Sequence, residues 1–245
     1  MIGLMVKGLS VVIPAYNEEK NVASCLKNVY AVLKNLPLDW EIILVNDGSG
    51  DNTGSIAKKF IGKVPHLQVV ENHPNRGYGG SLKAGFAAAT KKFIAFVPAD
   101  NQFDFSQIAK LLSKQQATGA DIVSGIRVGG GVDSLIRKIN RWGWNLVIKI
   151  LFGRLVSDID CGFKLFRREL LSHIHIQAER GAMIDTEFLA GAISRGYSVA
   201  EVPLIHLPRT AGKSTGANFR VIYQSFVDLF AFWWRLKKEI WAEKK

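Results

Sequence analysis

The first half of the chain alternates short apolar runs with segments that repeat apolar residues every three or four positions. The apolar runs predict five β-strands, at residues 9–14, 40–46, 67–71, 93–98 and 120–125. The segments between them predict four amphipathic helices, at residues 18–36, 50–61, 79–91 and 106–118. Because strands and helices alternate along the chain, we expect an α/β fold with a mostly parallel sheet flanked by helices.

The second half of the chain is dominated by helical patterns that are rich in aromatic and basic residues. Residues 132–152 form one predicted helix, and a mixed segment at 158–209 follows it. We divide the chain into a main domain at 1–215 and a C-terminal amphipathic helix at 216–245. An aromatic stripe in that helix packs on its own protein or on a partner, or lies in a membrane headgroup region beside its basic end.

The composition favours an anionic ligand and a reducing compartment. Lys and Arg together number 32 against 21 Asp and Glu, so the formal net charge of +11 attracts nucleotide phosphates, nucleic acid or acidic lipid. Cys25 and Cys161 are the only cysteines, and they show no metal-ligand spacing. The longest apolar runs contain charges and are shorter than the roughly 18 to 20 residues that span a bilayer, so no transmembrane helix and no secretory signal are predicted.

The chemistry is expected where the predicted strands end, because ligands of open parallel sheets lie beyond the carboxyl ends of the strands. Four such ends carry polar loops: PAYNEE at 14–19, NDGSGDNT at 46–53, HPNRGYGGS at 73–81 and PADNQFD at 98–104. Asp100 and Gln102 offer oxygen ligands for a hard divalent ion, or else form a turn. Asp47, followed by Gly and Ser, is either a ligand contact or part of a tight turn.

Together these loops resemble those of family 2 glycosyltransferases, and more closely the dolichol-phosphate mannose synthase branch, over about residues 9–215. The resemblance implies a GT-A nucleotide-diphospho-sugar transferase fold for that domain. In the DADxQ-type metal motif, Pro98 replaces the first Asp, whereas Asp100 and Gln102 match the positions implied to bind Mg²⁺ or Mn²⁺. The implied donor-binding residues are Pro14, Tyr16, Glu18, Asp47, Asn75, Arg76, Gly77, Asp100 and Gln102.

Four basic motifs extend the resemblance to an acceptor site. They are SGIRVGGG from Ser124, RKINRWGWN from Arg137, DIDCGFKLFRRE from Asp158, which looks like DxTSGFRxFRR, and EVPLIHLPRTAGKSTG from Glu201. The implied contacts with an acceptor phosphate are Arg127, Arg137, Arg141, Lys164, Arg209, Lys213 and Ser214. For Arg137, Arg141, Lys164 and the matching Arg167, the alternative is a solvated basic face. The residues implied to act in catalysis are Asp100, Arg127, Arg137 and Arg209.

The resemblance implies an inverting transferase that moves a hexose from a GDP- or UDP-sugar to a dolichyl or undecaprenyl phosphate. A phosphate nucleophile is already ionised near neutral pH, so such an enzyme needs positioning more than a strong base. We expect a peripheral protein at the cytoplasmic face of a membrane, with the membrane surface as a partner and no nucleic acid. A second copy of the chain or a separate membrane protein are further expected partners.

Two alternatives remain open from the sequence. A family 2 enzyme with a saccharide hydroxyl acceptor would need a carboxylate base, for which Asp158 and Asp160 are the first candidates. A degenerate, non-catalytic relative that binds anions or lipid would fit the +11 charge and Pro98. Asp185 and Glu187 either belong to the site or favour the start of a helix through its dipole.

Overall fold

The structure, a computed structural model, describes residues 7–129, 135–179, 181, 183–208 and 219–243, without the side chains of residues 135–142, 145 and 219–225. Within these residues the strands are β1 Gly8–Ala15, β2 Asp39–Asn46, β3 Leu67–Glu71, β4 Phe93–Phe96, β5 Ile122–Val128, β6 Lys164–Arg167 and β7 Val199–Ile205. The α-helices are α1 Val22–Leu33, α2 Thr53–Lys58, α3 Gly77–Ala88, α4 Ile108–Thr118, α5 Leu135–Phe152, α6 Met183–Ser194 and α7 Phe219–Glu243. Short 3₁₀ turns occupy Phe105–Gln107 and Arg168–Ser172.

The seven strands form one mixed sheet in the order β3-β2-β1-β4-β6-β5-β7. Strand β1 runs parallel to β2 and β4, β2 runs parallel to β3, and β5 runs parallel to β7. Strand β6 is antiparallel to both of its neighbours, β4 and β5. The carboxyl ends of six strands and the beginning of β6 therefore share one edge of the sheet, which we call the ligand edge.

The apolar residues divide into two clusters, one on each face of the sheet. On β1, Leu9, Val11 and Ile13 belong to the cluster beneath α1 and α4, whereas Val12 belongs to the cluster beneath α3 and α6. The alternation follows from the two-residue period of a strand. Burying each aliphatic side chain of this size contributes about 1.5–3 kcal/mol relative to leaving it exposed, which fixes the sheet between its helices.

One side of helix α7 packs on the apolar cluster beneath α3 and α6. Leu229, Phe232 and Leu236 are buried there, and the indole nitrogen of Trp233 donates a hydrogen bond to the carbonyl of Leu151 (2.9 Å). Part of the aromatic stripe therefore packs on its own protein, one of the possibilities that the sequence left open. Among the described residues, no helix is both long enough and apolar enough to span a bilayer.

Candidate active site

The loops after β1 and β2 are joined by a set of hydrogen bonds at the ligand edge. The main-chain N–H of Asn17 donates to Ser49 Oγ (3.0 Å), and the N–H of Gly50 donates to Asn17 Oδ1 (2.9 Å). The N–H of Glu18 donates to Thr53 Oγ1 (2.8 Å). Asn17 has a positive φ of 54°, and α1 begins at Val22 and not at the predicted residue 18.

Two of the predicted donor-binding residues flank this loop. Pro14 lies within β1, where its carbonyl oxygen accepts a hydrogen bond from the N–H of Ala99 in the loop after β4 (3.2 Å). The side chain of Tyr16 is 49% exposed directly beyond the strand. An exposed aromatic ring at this edge is available to stack on a flat ligand group such as a nucleotide base.

Asp47 fastens the loop after β2 to the loop after β3. Its buried carboxylate accepts hydrogen bonds from Asn72 Nδ2 (2.8 Å), Asn75 Nδ2 (2.9 Å) and the N–H of Arg76 (3.0 Å). Gly48 follows with a positive φ of 64°, and a Cβ there would lie 2.8 Å from the nitrogen of Asn75. Glycine is therefore required at this position, and the two loops are brought together closely.

The predicted donor residues Asn75, Arg76 and Gly77 lie where α3 begins. The guanidinium of Arg76 forms an ion pair with Glu179 (2.9 Å), which joins this corner to the segment before α6. The N–H of Gly77 donates to Asn75 Oδ1 (3.1 Å). The structure thus places these three residues beside Asp47, at one corner of the ligand edge.

A cavity of about 350 Å³ opens at the ligand edge between the loop after β4 and the segment before β6. Its polar lining comes from Asp100, Gln102, Arg127, Asp160, Asp185 and His206, with Tyr78, Pro98 and Phe103 among the remaining wall residues. The lining thus draws on the ends of β4, β5 and β7 and on the starts of β6 and α6. It combines carboxylates, which suit cations, with a guanidinium, which suits anions.

Asp100 and Gln102 lie together in the loop after β4. Asp100 Oδ1 accepts a hydrogen bond from the N–H of Gln102 (3.1 Å), and Gln102 Nε2 donates to the carbonyl of Leu207 (3.2 Å). Among the described residues, no cluster of three or more His, Cys, Asp and Glu is arranged to hold a metal. One carboxylate with one amide oxygen nevertheless suits Mg²⁺ or Mn²⁺, because Mg²⁺ sites commonly combine one or two carboxylates with substrate phosphates and water.

Pro98, which replaces the first Asp of the family motif, packs against the segment before β6. A Cβ added at Gly162 would lie 3.0 Å from the Cγ of Pro98 and 3.4 Å from the hydroxyl of Tyr78. The three residues therefore form a tight wall of the cavity. The position of the missing carboxylate is taken by an apolar ring and supplies no metal ligand.

Arg127 is held at the cavity by Asp158. Its Nε and Nη2 donate to the two oxygens of that carboxylate at 2.7 and 2.6 Å, and its N–H donates to Asp158 Oδ2 (3.0 Å). Burial favours the neutral form of Asp158, but the hydrogen bonds and the charge of Arg127 outweigh it and lower the pKa of Asp158. Arg127 is thus charged and oriented, whereas Asp158 is occupied and poorly suited to act as a base.

The burial of Lys164 contradicts a prediction from the sequence. Its ammonium group is fully buried and donates to the carbonyls of Ile159 (2.9 Å) and Cys161 and to Asp185 Oδ1 (2.6 Å). A Lys ammonium has three donors, and all three are used by these partners. The predicted contact of Lys164 with an acceptor phosphate does not fit this burial, and we remove it from the acceptor set. Its role is to neutralise Asp185 inside the protein.

Asp160 lies between these two ion pairs. Its Oδ1 is shielded from solvent and has no hydrogen-bond partner among the described residues. Burial, and then the charge of Asp185, raise the pKa of Asp160 to about 6, against the opposing charges of Arg127 and Lys164. A carboxyl group that lines a cavity with a perturbed pKa is a candidate for a functional role.

The remaining predicted acceptor residues have no described side chains. Arg137 and Arg141 lie in α5, for which only the backbone is described at these positions. The predictions for Arg209, Lys213 and Ser214 fall outside the described residues.

Three further residues were only weak candidates in the sequence, as Asp185 and Glu187 were, or were not predicted, as His206 was. Asp185 lines the cavity, whereas Glu187 accepts hydrogen bonds from the N–H groups of Gln177 and Ala178 and pairs with Arg235 (2.8 Å). His206 also lines the cavity and was not a predicted site residue. Its position directly after β7 was the available signal, because β7 ends at the ligand edge.

Comparison with known proteins agrees with this architecture. The family described as "Glycosyl transferase family 2" matches residues 10–174. Glucosyl-3-phosphoglycerate synthase from Mycobacterium tuberculosis, solved with Mn²⁺, UDP and glucosyl-3-phosphoglycerate, superposes with a TM-score of 0.71 at 19% identity, over 92% of this chain and 80% of that one. The likeness confirms the predicted GT-A fold.

Curated relatives are similar over most of the chain. A dodecaprenyl-phosphate galacturonate synthase from Rhizobium johnstonii is 30% identical over 226 residues, which cover 91% of this chain and 66% of that protein. A dolichyl-phosphate beta-glucosyltransferase from Dictyostelium discoideum is 33% identical over 213 residues, 79% of this chain and 64% of that protein. The chain spans slightly less than two thirds of the length of these relatives. Because the family match extends from β1 to β6, over more than half of the chain, the chain belongs to glycosyltransferase family 2.

Proposed function

We propose that the chain is an inverting hexosyltransferase that uses a nucleotide-diphospho-sugar donor and a polyprenyl phosphate acceptor. The observation that carries the proposal is the cavity of about 350 Å³, in which Asp100 and Gln102 share the lining with Arg127. A cation-binding pair and an oriented guanidinium in one cavity suit a reaction between a diphosphate and a second phosphate. The relatives named above as acting on dodecaprenyl and dolichyl phosphate support this acceptor class.

The donor half of the site would bind the nucleotide sugar through the loops after β1, β2 and β3. Tyr16 is exposed there, and Asp47 holds Asn75 and Arg76 in place. Asp100 and Gln102 would hold Mg²⁺ or Mn²⁺, which would offset the charge that builds on the departing diphosphate. The solved relative with Mn²⁺ and UDP supports a UDP-sugar, and GDP-sugars remain in the proposal.

The acceptor half would bind the phosphate through Arg127. Because Asp158 takes two donors of this guanidinium at 2.6 and 2.7 Å, the group is oriented before the acceptor arrives. Arg137, Arg141, Arg209, Lys213 and Ser214 complete the proposed acceptor set on the strength of the resemblance. In-line attack by the ionised phosphate would invert the sugar carbon, and no strong base is needed.

The exposed side of α5 and α7 would rest on the membrane that holds the acceptor. Ile150, Phe230 and Trp234 are 71%, 53% and 58% exposed. The ammonium group of Lys237 lies 5.1 Å from the ring centre of Trp233, and that of Lys238 lies 5.8 Å from the ring centre of Trp234. Exposed aromatic and aliphatic groups next to lysines suit an anionic headgroup region, which we place at the cytoplasmic face. Cosedimentation with phosphatidylglycerol vesicles, and its reversal by salt, tests this contact.

The first experiment is transfer of radiolabelled sugar from a panel of UDP- and GDP-hexoses to a short-chain polyprenyl phosphate, with Mg²⁺ or Mn²⁺. Organic-extractable label from one donor would support the proposal and identify the sugar. Nucleotide-sugar binding without any transfer to lipid would point to a saccharide acceptor. Absence of binding would indicate a non-catalytic relative.

A matched pair of arginine variants tests the acceptor role. Arg127→Lys removes the two-pronged contact with Asp158, and we expect transfer to fall about 100-fold with UDP binding unchanged. Arg167→Lys is the control, because Arg167 also pairs with an aspartate, Asp121 (3.0 Å), but at the far end of β6 from the ligand edge. An equal loss in both variants would contradict the role of Arg127.

A further inference from the structure

Besides Asp100, three carboxylates and two cations meet in and beside the cavity. Asp158 is paired with Arg127 at 2.6 Å, and Asp185 is paired with Lys164 at 2.6 Å. Asp160 is the third carboxylate, and no ion pair to it occurs among the described residues.

The position of Asp160 allows a ligand to reach it. The residue is only partly buried and lines the same cavity as Asp100 and Gln102. Its Oδ1 has no partner among the described residues, and a buried acceptor left without one costs about 1–3 kcal/mol. A ligand hydroxyl in the cavity that donates to this carboxylate would supply a hydrogen bond that the described residues do not.

The chemistry of the ligand group follows from the sign of the charge. A carboxylate repels a phosphate, so the diphosphate and the acceptor phosphate are poor partners for Asp160. A sugar hydroxyl donates a hydrogen bond to a carboxylate, and such charge-assisted bonds are stronger than neutral ones. The family pattern quoted for this segment, DxTSGFRxFRR, has Thr at this position, so this chain presents a longer and acidic group to the cavity.

We propose that Asp160 accepts a hydrogen bond from one hydroxyl group of the transferred hexose and thereby selects the sugar. This inference rests on the proposed function and assigns a sugar contact within the same site. A site built to bond a hydroxyl rejects an analogue that lacks it, because the buried polar group is left unpaired. The expected signature is selectivity among sugars at unchanged affinity for the nucleotide.

The test measures donor binding by calorimetry, without any acceptor. UDP-glucose and GDP-mannose are each compared with their four monodeoxy analogues, in the presence of Mn²⁺, on the full chain. For the donor that binds, we expect the wild type to lose about tenfold or more in affinity for one of the analogues. Asp160→Ala should bind the parent sugar and that analogue equally, and Asp160→Asn should keep part of the preference.

Two controls separate this role from a structural one. Glu169→Gln removes an exposed carboxylate outside the cavity and should keep the wild-type preference. UDP or GDP without sugar should bind all variants with the same affinity, which shows that the nucleotide site is folded. If Asp160→Ala binds a donor with the wild-type preference, the inference is overturned and the proposed function stands. If the wild type binds no donor from the panel of UDP- and GDP-hexoses, both are overturned.

Discussion

The two halves of the ligand edge are built from different interactions. On the proposed donor side, the Asp47 carboxylate accepts hydrogen bonds from the side chains of Asn72 and Asn75 and from the N–H of Arg76, all of which are neutral donors. On the proposed acceptor side, the buried groups meet as ion pairs, and Asp160 remains without an ion-pair partner among the described residues. The first side is held by neutral hydrogen bonds, whereas the second depends on paired charges and keeps one carboxylate that a substrate can contact.

The largest expected effect is the loss of transfer activity on replacing the proposed metal ligand Asp100. Asp100→Ala removes the only carboxylate of the proposed metal pair, and we expect transfer to fall about 1,000-fold, the scale of losing a main electrostatic contact. The melting temperature should change little. Asp104→Ala is the matched control: it removes the cap of the 3₁₀ turn, where Asp104 accepts from Ser106 (2.9 Å), and should spare the transfer rate. An unchanged rate in Asp100→Ala would remove the metal role.

The next largest expected effect is a loss of stability on breaking the buried ion pair between Lys164 and Asp185. Lys164→Met leaves Asp185 buried without its cation, so we expect the free energy of unfolding to fall by about 3–5 kcal/mol in urea titrations. The double variant Lys164→Met with Asp185→Leu should recover much of this loss, because no uncompensated charge remains. If the double variant is as unstable as the single one, lost packing and not charge explains the effect.

A smaller, pH-dependent effect is expected at Asp160. Its folded-state pKa of about 6 exceeds its ordinary value of 3.8, so the folded protein binds more protons between these values and loses stability as the pH rises through them. Asp160→Asn removes this loss. We expect the variant to be more stable than the wild type at pH 7, by up to roughly 3 kcal/mol, with the gain vanishing below about pH 4. Equal unfolding curves at both pH values would contradict the assigned pKa.

The smallest effect is expected on the donor side. Asp47→Asn replaces one carboxylate oxygen by a donor that faces the existing donors of Asn75 or Arg76. We expect a loss of about 1–3 kcal/mol in the free energy of unfolding, measured by urea titration, because a hydrogen bond is lost inside a buried network. An unchanged free energy of unfolding would show that these hydrogen bonds contribute less to stability than the structure indicates.

Sequence patterns predicted the strands and helices of the first half of the chain well, but they did not predict β6. All five predicted strands and the four helices between them are present, and a shared strand direction was enough to bring the loops with Asp47 and Asp100 to one edge. Strand β6 is only four residues long and antiparallel to its neighbours. Such a short strand shows no periodic pattern in the sequence, so it was not predicted. Its first residue is Lys164, a basic residue of a family motif whose side chain is fully buried in the structure.

Other parts of the site depend on side-chain geometry that a pattern does not encode. The sequence named both Asp158 and Asp160 as acidic groups, but only the structure shows that Asp158 is occupied by Arg127. His206 was missed because a single histidine after a strand has no distinctive spacing. The roles of Arg137, Arg141, Arg209, Lys213 and Ser214 remain predictions.

The hydrogen bonds of Gln102 join the loop after β4 to the residue two positions beyond β7. Gln102 donates from its side chain to the carbonyl of Leu207 and accepts on its main chain from the N–H of Leu207 (2.7 Å). The side-chain nitrogen is therefore occupied, and the side-chain oxygen is the amide atom that remains for a ligand. A metal ion at the proposed site would be bound by an oxygen whose orientation the protein fixes before the ion arrives.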